Sequence, residues 1–166
     1  MMRLGILSDT HDQLARTRLA VQLLQEHGAD VLVHCGDLAG PEIVKVCAAL
    51  PFYFVFGNHD ADRVPELRQV ATETGAICLG WGDEVVLAGK RVAVTHGHMH
   101  TDVRRLLAAG PDYLLSGHSH ITVDRYEDRT RRINPGALHE AEPLTAALLD
   151  LATGALRSLT LPSTGI

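Results

Sequence analysis

A mixed α/β domain with a strand-rich second half is the fold class this sequence predicts, on three observations. Short apolar runs in the first half end repeatedly in Gly, Asp or Asn. Helical periodicity fills the intervals between those runs. From Trp81 onward, hairpin and turn signals at short spacing take over.

Arg3–Ser8 is the first such run, and it leads into Asp9. Helical spacing follows to about Glu26: Leu19 with Leu23 and Ala20 with Leu24 repeat at i,i+4, while Arg16, Arg18, Gln22 and Gln25 are expected to face away. Asp12 or a neighbour is expected to cap this helix, and Gly28 stops it. Val31–Cys35 reads as the second strand, ahead of Asp37. Pro41 opens a short helix where its missing N–H does no harm, continuing through Ile43, Val44 and Cys47. Phe52–Phe56 is a third strand, ending before Asn58, so the opening is a β-α-β-α-β run. Trp81–Leu87 and Arg91–Thr95 bracket Ala88-Gly89-Lys90 as a hairpin, and Tyr113–Ser116 leads into another Gly-His turn. Ile121–Tyr126, Arg131–Asn134, Leu144–Asp150 and Ala155–Leu161 complete the strands, with Thr153-Gly154 turning the last pair and the stretch Ser158–Ile166 fraying at its end.

Length bounds the organisation: 166 residues suffice for one domain with a substantial core, expected to span 1–166. A composition 46% hydrophobic and 21% charged argues against disorder. No run approaches the roughly 18–20 apolar residues of a membrane span, and cytoplasmic residence is the default expectation. Cys35, Cys47 and Cys78 form no C-x-x-C pair and read as buried thiols. A formal charge of -5 excludes a general affinity for nucleic acid, since such binding rests on phosphate neutralisation by Lys and Arg. The basic cluster Arg125, Arg129, Arg131 and Arg132 is interrupted by Glu127 and Asp128 and reads as a solvated hairpin. Self-association is left open.

Five short clusters hold the residues that bear chemistry: Asp9-Thr10-His11, Gly36-Asp37, Gly57-Asn58-His59-Asp60, Thr95-His96-Gly97-His98 and Gly117-His118-Ser119-His120. Mixed oxygen and nitrogen donors suit first-row divalent metals better than calcium, and two such ions about 3.5–4 Å apart are a recurrent clamp for displacement at phosphorus. Each cluster alone has an ordinary reading: Asp9 as a helix cap, Asn58 as a turn residue, any one histidine as a hydrogen-bonded side chain. Their conjunction is what carries weight. His11 lies two residues after Asp9 on an extended strand end, so both can face one side, and His118 and His120 repeat that spacing.

The order and form of the clusters resemble the calcineurin-like metallophosphoesterase superfamily, whose running signature is D-x-H, G-D, G-N-H-[DE], a later H, and G-H-x-H. The T-H-G-H form of the fourth cluster, the short chain, and Ile133-Asn134-Pro135-Gly136 after the fifth are most similar to the small YfcE-type phosphodiesterases of bacteria and archaea. The resemblance implies two mixed β-sheets packed face to face with helices outside, a four-layer α-β-β-α sandwich. It implies that Asp37 bridges two ions, that Asp9, His11 and His120 complete one site, and that Asn58, His96 and His118 complete the other. It further implies that His59 acts as an acid near the leaving group instead of binding metal, an assignment its unperturbed pKa of about 6.5 suits. Many YfcE-type relatives carry Cys there, so in His59 this chain follows the wider superfamily.

Asn58, His59 and His98 are the expected substrate contacts. Asp60 is read either as an orienting partner of the loop or of His59, or as an exposed turn carboxylate. His27, His34, His100 and His139 are read as structural or solvated, and Asn134-Pro135-Gly136 as a rigid turn near the rim. The implied function is hydrolysis of a small phosphodiester by in-line attack of a metal-bridging hydroxide, with His59 protonating the departing alkoxide. One alternative is a phosphomonoesterase acting on a small phosphorylated metabolite. Another is a non-catalytic protein-binding scaffold resembling the retromer subunit, whose mark would be a damaged ligand set; here every ligand is present. Mn²⁺ is the first choice of occupant, with Ni²⁺, Fe²⁺, Co²⁺ and Zn²⁺ as alternatives, because geometry and supply override intrinsic affinity.

Overall fold

In the first half of the chain, each apolar run becomes a buried strand and each periodic interval becomes a helix laid against it. The computed structural model describes residues 1–162. Strands β1 (Arg3–Leu7), β2 (Val31–His34), β3 (Phe52–Phe54) and β4 (Ile77–Cys78) are joined by helices α1 (Leu14–Glu26), α2 (Pro41–Cys47) and α3 (Val64–Thr74). The strands pair in parallel, and β10 (Thr145–Asp150) and β11 (Leu156–Thr160) add antiparallel strands, giving the order β11-β10-β1-β2-β3-β4. The second sheet takes β5 (Gly82–Leu87), β6 (Lys90–Thr95), β7 (Tyr113–Leu115), β8 (Val123–Glu127) and β9 (Thr130–Asn134) in the order β5-β6-β7-β9-β8, with helix α4 (His100–Ala108) crossing between the parallel strands β6 and β7.

The period-two alternation of the strands sorts their side chains into separate cores. Leu7 and Leu32 face α1 and α2, whereas Leu4, Ile6, Val31 and Val33 meet Val92, Val94, Tyr113, Leu115 and Ile133 of the second sheet. On that sheet's far side, Ala93 and Leu114 pack against Val103 and Leu106 of α4. The layers therefore run helices, sheet, sheet, helix, as the resemblance implies. Among the described residues, no helix is long and apolar enough to cross a membrane.

Several local expectations need correcting. Asp12 does not cap α1; it takes a positive φ of 58°, and the helix begins after Gln13 with no side-chain cap. Arg16 is only partly exposed, because its Nη1 folds back to donate to the Leu138 carbonyl at 3.2 Å. Helices α3 and α4 have no counterpart in the sequence reading, although Pro65 in the first turn of α3 and left-handed Gly75 at its end bound the former as such residues do. The first hairpin turns on Ala88 and Gly89, both at positive φ, as a two-residue turn of that twist requires. The basic hairpin β8–β9 is only partly solvated: Arg131 is held bidentately by Asp124. Strand β11 runs to Thr160, within the span expected of it, and the fraying expected at the end of Ser158–Ile166 falls on residues 163–166, which lie outside those described.

His34 ends β2 in full burial, and its ring joins two loops. Its Nδ1 accepts from the Gly36 N–H at 3.1 Å, so Nε2 carries the proton and donates to Thr10 Oγ1 at 3.1 Å. Burial, with the neighbouring His96, holds its pKa down to about 3. Because the folded value lies below the unfolded one of about 6.5, the folded chain binds fewer protons, and stability present above that pH is lost as pH falls toward 3. Denaturant unfolding of the metal-free chain between pH 7.5 and 4.5 should show falling stability, with a shallower slope in His34→Gln. Parallel slopes in the two proteins would remove His34 as the source.

Candidate metal centre

The parallel strands of both sheets end on the same side, and every cluster lies in a loop at such an end. Asp9 and His11 follow β1, Asp37 follows β2 and Asn58 follows β3; His96 follows β6, and His118 and His120 follow β7. Crevices at the carboxyl ends of parallel strands are where such sheets hold ligands. The backbone there is unusual. Asp9, His11, Asp37, His118 and His120 all take positive φ, between 43 and 68°. A non-glycine residue in that region costs about 1–2 kcal/mol, so the surrounding structure must hold it there.

Much of that holding comes from Asp60. It is fully buried, and its carboxylate accepts four backbone N–H groups: Asp37 at 2.9 Å, Leu38 at 3.2 Å, Ala39 at 2.8 Å and Gly57 at 2.8 Å. The exposed-turn reading of Asp60 is thereby overturned. Burial raises its pKa above the usual carboxylate value, and the N–H donors act the other way. Gly57 lies so close to the Asp37 loop that an added Cβ would strike the Asp37 carboxylate. Gly117 is confined likewise by Ser8 and Asp9. Asn134 secures the second sheet's contribution by donating from Nδ2 to the Gly117 carbonyl at 2.9 Å. The Asn134-Pro135-Gly136 turn therefore braces the Gly117 loop from within.

Each carboxylate of the centre is half satisfied. Asp9 Oδ2 accepts from Ser8 Oγ at 2.6 Å and from the His118 N–H at 3.0 Å, while Oδ1 is buried with no hydrogen-bond partner. That Oδ1 lies 3.2 Å from His120 Nε2 and 3.9 Å from both His11 Nε2 and His96 Nε2. Asp37 Oδ1 accepts the His59 N–H at 2.9 Å, and Oδ2 lies 3.3 Å from His96 Nε2 and 3.5 Å from His11 Nε2. His11 Nε2 is also buried and unpartnered.

His96 defines the character of the cluster. Its Nδ1 lies 2.8 Å from the Cys35 carbonyl, which can only accept, so Nδ1 carries the hydrogen. In the neutral ring, Nε2 then presents a lone pair, yet it faces Asn58 Oδ1 at 3.1 Å and Asp37 Oδ2 at 3.3 Å. Turning the Asn58 amide would present a donor to Nε2, but Asp37 Oδ2 still faces that lone pair, and a cation reconciles the contact. Without metal the ring itself supplies it: burial opposes the charged form, but Asp37 and Asp9 outweigh burial and raise the His96 pKa. Burial likewise opposes Asp37 ionisation, and His96, the His59 N–H and His11 override it to bring that carboxyl to about 2. Burial lowers the pKa of His11 despite Asp37 and Asp9, which keeps its ring in the form that binds metal.

The structure thus brings together Asp9, His11, Asp37, Asn58, His96 and His120, with ligand-type atoms in the groups Asp9-His11-His120, Asp9-Asp37-His96 and His11-Asp37-His59, the last of which also brings His59 within ligand reach. His118 lies at the border, its ring 5.1 Å from that of His96. His59 is exposed beside His11, with ring centroids 4.8 Å apart. His98 Nδ1 is buried without a partner, and its ring lies 5.4 Å from His96. Two neighbours escaped the sequence reading: His139, whose ring lies 4.8 Å from that of His11, and Ser8, which donates to Asp9. No motif marks either one; only the turn chemistry after Pro135 places a loop nearby.

Replacing Asp60 with Asn keeps the volume but turns a donor toward backbone donors. Leaving buried N–H groups unmatched costs about 1–3 kcal/mol each, so Asp60→Asn should lose about 3 kcal/mol or more in chemical denaturation. An unchanged midpoint would show that these N–H groups find other acceptors.

The sequence pattern of the calcineurin-like phosphoesterase superfamily domain matches residues 2–154. Phosphodiesterase MJ0936 of Methanocaldococcus jannaschii is 27% identical over 138 residues, covering 81% of this chain and 83% of its own. Phosphodiesterase YfcE of Escherichia coli K12 is 28% identical over 157 residues, covering 83% and 80% of the two chains. A solved archaeal phosphodiesterase superposes with a TM-score of 0.87 at 26% identity, over 96% of this chain and 100% of its own. With the family pattern spanning both sheets and all five clusters, this chain belongs to the calcineurin-like phosphoesterase superfamily.

Proposed function

We propose that this chain hydrolyses small phosphodiesters by in-line displacement at phosphorus, using two divalent cations. The observation that carries the reading is the convergence of ligand-type atoms on one cleft: the buried, unpartnered Asp9 Oδ1 and His11 Nε2 lie beside Asp37 Oδ2, His96 Nε2 and Asn58 Oδ1. An oxygen and nitrogen donor set of this composition fits first-row transition ions. Asp9, His11 and His120 would hold one ion; Asn58, His96 and His118 the other; Asp37 Oδ2 faces His11 and His96 from between. Mn²⁺ is the first choice for both positions. When bound, such a pair polarises phosphoryl oxygens and lowers the pKa of water.

The chain's own groups do the rest. Buried Asp9 and His96 fix the floor of the cleft, and the half-exposed rims at His11 and His120 leave it open to a diester. Asn58 and His98 are placed by this reading at the phosphoryl oxygens. His59 Nε2 or Nδ1 donates a proton to the leaving alkoxide, which therefore departs on the His11 side. The His59 N–H bond to Asp37 Oδ1 is a main-chain bond, so binding and proton transfer can be separated by substitution.

Asp37→Asn should empty both positions, because it removes the negative charge each ion would share; elemental analysis of the purified protein reads this directly. Two ions per chain with undiminished turnover would sink the bridging assignment. His59→Ala should keep its metal and lose about 10²–10⁴-fold in turnover of a diester with an alkyl leaving group. Bis(4-nitrophenyl) phosphate should lose much less, since nitrophenolate leaves without a proton. Equal losses on both esters would reject the acid role.

A further inference from the structure

The chain has one tryptophan, and it stands beside the histidines of the centre. Main-chain contacts on both sides fix its place. The Phe56 N–H donates to the Gly80 carbonyl at 2.7 Å, which ties Trp81 to the segment that runs from β3 into Asn58. Thr95 Oγ1 donates to the Trp81 carbonyl at 3.3 Å, and Gly82 is paired with Thr95 across β5 and β6, which ties it to the residue before His96. Trp81 is therefore held between the loops that carry Asn58 and His96, one from each sheet.

Its ring is braced as well. The buried Phe56 ring meets the indole at 5.4 Å between centroids, and the His98 ring meets it at 6.1 Å, both edge to face. His98 in turn lies 5.4 Å from His96 and 6.1 Å from His118, so a single imidazole separates the indole from two proposed ligands. Even so, 38% of Trp81 remains exposed, and Met99, next to His98 in the chain, is exposed beside it in sequence. Among the described residues, Trp81 is the one Phe, Tyr or Trp ring packed on a histidine of the centre. An indole fixed in this way offers apolar ring surface with little left to order on binding, and stacking on it accepts any flat π system.

We propose that Trp81 is a specificity-determining wall of the substrate site, and that it selects phosphoesters carrying a flat aromatic group, an aryl ring or a nucleobase, stacked on the indole beside His98. The position of the phosphorus rests on the hydrolase reading above; the indole and its fixed place do not. Aromatic pairs attract at centroid separations of about 4.5–7 Å, so a ring attached near phosphorus reaches the indole by lying along His98. A contact this far from the reacting atoms holds substrate and transition state alike, and its loss is read in KM and in inhibitor affinity.

Since no other tryptophan is present, indole emission reports contact at this residue directly. The full chain, loaded with redox-inert Zn²⁺, is titrated with two pairs of ligands: phenylphosphonate against cyclohexylphosphonate, of which only the first has a flat ring, and adenosine 5′-monophosphate against ribose 5-phosphate, of which only the first has a base. The flat member of at least one pair should change the emission where its counterpart does not. By calorimetry its affinity should fall about fivefold to hundredfold in Trp81→Ala, the range for a lost base–aromatic stack, and recover partly in Trp81→Phe. The pair with the larger dependence on Trp81 names the aromatic group. Emission unmoved by all four ligands overturns the proposal, as does an equal fall for both members of each pair in a folded Trp81→Ala protein. In turnover of bis(4-nitrophenyl) phosphate, Trp81→Ala should raise KM and spare kcat; a loss confined to kcat overturns the specificity role. Stacking on a chain that hydrolyses no ester would keep the wall and defeat the hydrolase reading alone.

Discussion

One buried carboxylate organises the floor of the centre. Asp60 ties the backbone of residues 37–39 to that of Gly57, and in doing so joins the loop after β2 to the loop after β3. Those two loops carry Asp37 and Asn58, and the His59 N–H closes the circuit onto Asp37 Oδ1. With Oδ1 so engaged, Asp37 has Oδ2 alone to present to His11 and His96. The orientation of the Asp37 carboxylate, which the proposed centre would share, is thus set by main-chain hydrogen bonds of the fold itself. Preorganisation of this sort is what a displacement site needs, since reorientation during reaction would raise the barrier.

The same wiring accounts for the strain. Five of the seven proposed ligands sit at positive φ without being glycine, at about 1–2 kcal/mol apiece. Two opposing carboxylates, Asp9 and Asp37, are also buried within reach of one another's histidines. Neither feature would survive in a loosely packed loop. Both are tolerated because the loops spring from strands whose side chains fill two cores, with Leu4 and Ile6 on one face of β1 and Leu7 on the other. The core between the sheets offsets the local cost, and function is concentrated where the backbone is least comfortable.

Strand ends and ligand clusters were legible because each is a local pattern: an apolar run, then Gly with Asp, Asn or His. The layer order needed the family resemblance, since periodicity says which face is apolar and not what covers it. Arg16 was misread, Asp60 kept an exposed-turn alternative beside its loop-orienting reading, and His139 was left without a neighbour, all for one reason. Their roles depend on what approaches from elsewhere in the chain: residues 37–39 for Asp60, Leu138 for Arg16 and His11 for His139. An arginine on the polar stripe of a helix looks solvated until a loop some 120 residues away supplies a carbonyl. Helices α3 and α4 were a different failure, since Leu67 with Val70 and Ala71, and Val103 with Leu106, do carry helical spacing.

Each half of the proposed centre joins a buried anchor to side chains nearer the surface. His96 is fully buried, held at Nδ1 by the Cys35 carbonyl, and packed against His98 and His118. On the other half, His120 is partly exposed, and its Nδ1 lies 3.3 Å from the Glu140 carbonyl, in a loop whose own side chain is exposed. His11 is partly exposed too, bordered by His59 and His139. Asn58 and His118 are exposed as well, so both halves leave rim side chains to be ordered around the buried Asp9, Asp37 and His96. Ordering costs affinity, so under the proposed reading the buried residues would carry most of the hold on either cation, while the rim side chains keep the cleft open to a diester.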